Sequence, residues 1–117
     1  VTAPLRVVKL TLDAHLSRHA LEGALAPVTR ELEGTAKPAA LVVDCLAMQS
    51  YDSDARTRFV EWNAGQRAVV KRVAIVTDKT AWRMVIATMA LISKQEMRPF
   101  TSKNDAEQWA QTGQDSA

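Results

Sequence analysis

A mostly parallel α/β sheet with flanking helices is the fold class this chain predicts, and three observations carry the prediction. Two apolar, β-branched runs, Leu41-Val-Val-Asp44 and Val73-Ala-Ile-Val-Thr-Asp78, have the near-continuous hydrophobicity of strands buried on both faces. A helix-period segment separates them, which is too long a connection for a hairpin and suits a right-handed crossover. The same alternation runs from residue 5 to residue 111 and makes four consecutive β-α units.

Leu5 to Leu12 alternates as a strand with one better-buried face does. A helix follows from about Ser17, with Leu21, Leu25, Val28 and Leu32 at steps of four, three and four along one face. Pro27 removes the bond to the Gly23 carbonyl, which predicts a kink near Gly23 or a division into two short helices. Gly34 ends this segment, and Pro38 keeps Lys37 out of helical geometry before a strand at Ala40 to Cys45.

The second helix is expected from about Asp54 to Val69, with Ala55, Phe59, Trp62 and Val69 inward, and the third strand from Arg72 to Thr77. The third helix, Thr80 to Lys94, has an ordinary stripe of Trp82, Val85, Met89 and Ile92, which Met84, Ile86 and Leu91 widen beyond one face. Such a band must meet a neighbouring helix, a second protomer or an apolar ligand. The fourth strand is Met97 to Thr101. The last helix runs from Ser102 to about Gln111, with capping-box spacing at Ser102 and Asp105 and an inner face of Ala106, Trp109 and Ala110. Residues 1–112 thus form one domain, and 113–117 a flexible tail.

Composition narrows the function. With 117 residues there is material for one core and not two. A net charge of +2 with scattered basic residues does not suit nucleic acid, and Arg67, Lys71 and Arg72 suit a solvated helix end. Cys45 is the sole cysteine, so no internal disulfide forms, and its apolar setting predicts a small buried hydrophobe. No signal-peptide pattern opens the chain, and Met84 to Ile92, interrupted by Thr88, is too short to span a bilayer. A cytoplasmic location is the expectation.

Motifs for chemistry are sparse. His15 and His19 have the spacing of helical metal ligands with Glu22 beyond, but no further Cys or His supplies a second segment. Asp13, Asp44 and Asp78 end strands and Lys79 follows, a loose likeness to the acidic pocket of receiver domains, which need a fifth unit. No glycine-rich phosphate loop and no nucleophile elbow occur. The expectation is therefore no catalytic residue, no metal and no cofactor. The most informative side chain is Ser53, between Asp52 and Asp54 on a strand-to-helix turn. Either Ser53 or Asp54 suits the helix cap, and a phosphate on Ser53 would gain from the helix dipole while the two aspartates repel it.

Leu41-Val-Val-Asp-Cys-Leu-Ala-Met-Gln-Ser-Tyr-Asp-Ser53 resembles the pattern of the STAS and SpoIIAA-like superfamily, a strand, a short loop, then Asp-Ser-Ser-Gly. In its anti-sigma-factor antagonists the serine after the Asp is a phosphorylated switch, and it corresponds to Ser53. Asp54 and Ala55 depart from the Ser-Gly that follows. The C-terminal half is similar to the SpoIIAA-like, STAS/CRAL-TRIO-related branch at Trp62, the Lys71 to Lys79 strand, Met97-Arg-Pro-Phe100 and Ala106-Glu-Gln-Trp109. The resemblance implies a small bacterial domain that binds partner proteins or apolar ligands and often dimerises. Two roles follow as expectations. The leading one is a protein-interaction module whose surface joins the Asp52, Ser53 and Asp54 turn to the third helix, with Ser53 as its regulatory residue. The other is an apolar-ligand carrier with its pocket, or a dimer surface, at Trp82, Val85, Ile86 and Met89.

Overall fold

The computed structural model describes residues 3–114. Its main sheet is built from the apolar runs: β1 (Val7–Thr11), β3 (Ala39–Asp44), β5 (Val70–Val76) and β6 (Glu96–Phe100). These lie side by side in that order and all pair in parallel. Spatial order equals chain order, so every right-handed crossover steps the same way and its helix falls on the same face. Those helices are α1 (Arg18–Glu33), α2 (Ser53–Gly65) and α3 (Trp82–Ser93), and α4 (Lys103–Thr112) covers the other face.

The two-residue period of a strand divides the core accordingly. Leu41, Val43, Val73 and Ile75 pack with Leu21, Leu25, Phe59, Trp62, Ile86 and Met89 from the three-helix side. Ala40, Val42, Ala74 and Val76 pack with Ala106, Trp109 and Ala110 of α4. α1 and α2 are also joined through polar atoms: Trp62 Nε1 donates to Thr29 Oγ1 at 3.0 Å, and that hydroxyl donates to the Leu25 carbonyl at 2.9 Å.

Two strands escaped the sequence pattern. β2 (Ala14–Leu16) and β4 (Met48–Tyr51) are the connections after β1 and β3, and they pair in parallel as a small second sheet. Three and four residues are too few to show a period, and β2 begins at Ala14 with φ 51° beside a register shift.

Other boundaries move for local reasons. Ser17 caps α1, its side chain accepting from the Ala20 amide at 3.0 Å, and the helix continues unbroken through Pro27. α2 stops at Gly65, so Val69 lies beyond the helix and is not part of its stripe. Along α3 the inward residues are Ile86, Met89 and Ser93; Ile92, expected inside, is 65% exposed, whereas Ile86, expected to widen the band, is buried.

At α4 the Ser102 side chain accepts from the Asp105 amide, as the capping-box spacing predicts. Gly113 closes the helix with φ 76°. A Cβ there would come 3.0 Å from the Arg72 guanidinium. Arg72 is not part of a solvated helix end, as expected, but buried: it donates to the Ala110 carbonyl at 2.9 Å and lies over the Trp109 ring. A cation at a helix C-terminus was the right physics applied to the wrong helix. Residues 115–117 of the expected tail lie outside the described residues.

Candidate functional site

The carboxyl ends of the strands, the small sheet and two helices line a partly open apolar cavity of about 60 Å³. Leu12, Val43, Cys45 and Ile75 come from the main-sheet side. Leu16, Met48 and Tyr51 come from β2 and β4, and Ala55, Arg56 and Phe59 from α2. α3 contributes Trp82, Val85, Ile86 and Met89, all four of the residues expected there from the sequence. The volume is ample for a water, but the walls offer little of the polar partnership that holds one. Apolar space of this kind suits apolar ligands.

Outside it, a groove of about 430 Å³ runs between α2 and α3 and shares Arg56, Val85 and Met89 with the cavity. Met84 and Ile92 line this groove, and with Leu91 they are the large apolar side chains the domain exposes most. The excess apolar width of α3 thus faces outward as well as inward.

Two aromatic rings that line the cavity each carry a cation. Tyr51 and Trp82 meet edge to face, centroids 5.6 Å apart. The Arg56 guanidinium lies 5.9 Å from the Tyr51 centroid and the Lys79 ammonium 4.9 Å from that of Trp82. Lys79 Nζ also donates to the Met48 carbonyl at 2.9 Å, which ties the start of β4 to the segment after β5.

The Asp52-Ser53-Asp54 turn adjoins this rim, because Tyr51 and Ala55 flank it and both line the cavity. Its capping differs from expectation. Asp52 occupies the cap position, while Ser53 is the first helical residue and Asp54 lies in the first turn. The Asp52 carboxylate does not cap the helix amides; it pairs with His15 Nε2 at 2.8 Å, and His15 Nδ1 meets Ser50 Oγ at 2.7 Å. All three turn residues are exposed. His15 carries no sequence signal for this role, since its partners lie 35 and 37 residues away.

The remaining polar groupings disperse. His15 is on β2 and His19 on α1, and Glu22 pairs with Arg58 at 2.8 Å. Among the described residues no three His, Cys, Asp or Glu side chains gather as metal ligands would. Asp44 sits on the α4 side and pairs with Lys103 at 3.0 Å. Burial alone would raise its carboxyl, but the Leu46 amide and the Lys103 ammonium outweigh that and hold it below its ordinary value. Its neighbour Cys45 faces the cavity, where burial, aided by the Asp44 charge, pushes the thiol up to about 12. A thiol held protonated is no nucleophile at neutral pH.

The family model for SpoIIAA-like domains matches residues 7–111. The chain belongs to the SpoIIAA-like family. Among solved structures it is similar to an uncharacterized protein of the DUF3478 family with a SpoIIAA-like fold from Shewanella loihica PV-4. That match has a TM-score of 0.71 and 17% identity over 87% of this chain and 82% of the other. At that identity the likeness speaks for the fold. No curated protein matches the chain. No helix of this SpoIIAA-like domain, among the described residues, is long and apolar enough to cross a membrane.

Proposed function

We propose that this SpoIIAA-like domain works by binding rather than catalysis, and that it takes a small apolar ligand into the cavity beneath α3. The observation that carries the reading is the cavity itself, lined by Trp82, Val85, Ile86 and Met89 opposite β2 and β4. Filling about 60 Å³ recovers roughly 1–2 kcal/mol at the cost per volume known for core cavities. The groove beyond adds further apolar surface along Met84, Val85 and Ile92. Met48 and Met89 are unbranched and can move aside for a guest larger than the resting space. The protonated state of Cys45 also supports binding over chemistry.

The test is native mass spectrometry of the full chain purified from cells, beside Cys45→Leu, which directs extra bulk into the cavity. A retained apolar adduct that Cys45→Leu loses supports the reading. An adduct kept in full by Cys45→Leu would remove the cavity as its place.

A second reading, docking of a protein partner or of a second copy, draws support from the exposed Met84 and Leu91, each 80% accessible, and from Ser53. A phosphate on Ser53 would stand at the N-terminus of α2, one turn from Arg56, with Asp52 already engaged by His15. Ser53→Asp should weaken capture of such a partner in a pull-down and leave an apolar adduct in place. Equal capture by both forms would reject the turn as a switch.

A further inference from the structure

We propose that the ligand is a single-chain amphiphile with an anionic head, a carboxylate, held at the cavity mouth by Arg56 and Lys79 while its alkyl chain enters the cavity. This rests on the apolar-ligand reading and names the class of molecule the site would take.

Among the described residues Arg56 is the one charged residue that lines the cavity, and it lines the groove as well, so it stands where the two adjoin. Its guanidinium contacts the Tyr51 ring and makes no ion pair among the described residues. A guanidinium presents a planar fork of donors that matches a carboxylate. Lys79 stands over the other ring of the same edge-to-face pair, its position set by the Met48 carbonyl. An ammonium has three donors, and that carbonyl occupies one.

Two cations on adjoining rings that line an apolar cavity are the polarity an anionic amphiphile needs: charge beside the rings, hydrocarbon inside. A cationic head would be repelled, and a neutral one would leave both donors to water.

The nearby carboxylates are otherwise placed. Asp52 is paired with His15, and Asp54 lies in the first turn of α2 beside it. Asp78 approaches Lys79 only to 3.9 Å, with 69% of its side chain exposed. Glu61, in the groove, is five residues beyond Arg56, roughly 7.5 Å along the helix axis.

The experiment titrates the full chain with decanoate, 1-decanol and decyltrimethylammonium, each as monomers at neutral pH, by calorimetry. The proposal predicts that decanoate binds about tenfold tighter than decanol, a difference of ~1.4 kcal/mol, and that the cation binds weakest. Arg56→Gln with Lys79→Gln should bring decanoate down to the decanol level, and Arg56→Glu should shift preference toward the cation. Arg56 lines the cavity and Lys79 stands on the Trp82 ring that also lines it, and an unchanged melting curve certifies each variant's fold.

Equal affinity for decanoate and decanol, or a decanoate margin that survives the double substitution, overturns the anionic head while leaving the cavity reading standing. Failure of all three probes to bind overturns both. A parallel arm uses phosphatidylglycerol vesicles: sedimentation with them, without uptake of free decanoate, would move the cations to a lipid headgroup and overturn the single-chain ligand.

Discussion

Asp44 and Cys45 are neighbours at the end of one strand, yet they belong to opposite faces of the sheet and show how differently the two faces are built. On the α4 side Ala40, Ala74, Ala106 and Ala110 are fully buried, and their small size lets helix and sheet approach closely around Trp109. Cations complete that side: Arg72 and Arg98 flank the Trp109 ring, and Lys103 pairs with Asp44. On the three-helix side the residues are larger and branched, and their packing leaves the cavity at the carboxyl ends of the strands. One face is closed and serves stability; the other is incompletely filled, and that space is where a binding function fits.

The largest expected effect comes from opening the closed face. Trp109→Ala should lower stability by about 3–5 kcal/mol in urea unfolding, the range for deleting a buried large aromatic. A loss below ~1 kcal/mol would mean that α4 contributes little to this side.

A matched pair of enlargements then contrasts the faces. Ala110→Leu, on the α4 side, should cost about 1–3 kcal/mol by overpacking. Cys45→Leu, into the cavity, should be neutral or stabilising by up to ~1 kcal/mol in the same experiment. Equal penalties would remove the contrast.

The neighbouring pair also predicts opposite pH responses. Burial in the folded chain pushes the Cys45 thiol up to about 12 from its ordinary 9.0. The unfolded chain therefore loses this proton first, and stability falls as pH rises above about 9, by at most ~1.4 kcal/mol per pH unit for one proton. Cys45→Ala should remove that share of the alkaline slope. Asp44, depressed when folded, contributes stability above its ordinary 3.8 that disappears as pH falls through its lower folded value. Asp44→Asn should flatten the acid limb of the melting temperature against pH.

The smallest effect is expected at the small sheet. The His15–Asp52 pair is about half exposed, so His15→Ala should change stability by no more than ~1 kcal/mol. A larger loss would make β2 and β4 a structural clasp and not merely the wall of the cavity.

Much of this architecture was legible in the sequence. The four buried strands and the inner stripe of α1 follow from periodicity, and the capping of α4 from Ser102 and Asp105. The apolar excess of α3 was legible because Met84, Ile86 and Leu91 widen the stripe of Trp82, Val85, Met89 and Ile92 beyond one face, and Trp82, Val85, Ile86 and Met89 line the cavity. Three things were not. β2 and β4 are too short for any pattern. The inward phase of α3 could not be fixed when apolar residues surround the helix, which is why Ile92 and Ile86 exchanged places. The contacts of His15 and Arg72 join segments more than thirty residues apart, and spacing along a chain carries no trace of them.

Whether the open face takes an apolar ligand within the cavity can be read by NMR of methyl-labelled methionine during titration with decanol. The four methionines divide the molecule: Met48 and Met89 line the cavity, Met84 lies only in the outer groove, and Met97 is buried elsewhere in the same core. A ligand in the cavity should give saturable shifts at Met48 and Met89 with Met97 unmoved. Shifts confined to Met84 would place the ligand on the surface and contradict it.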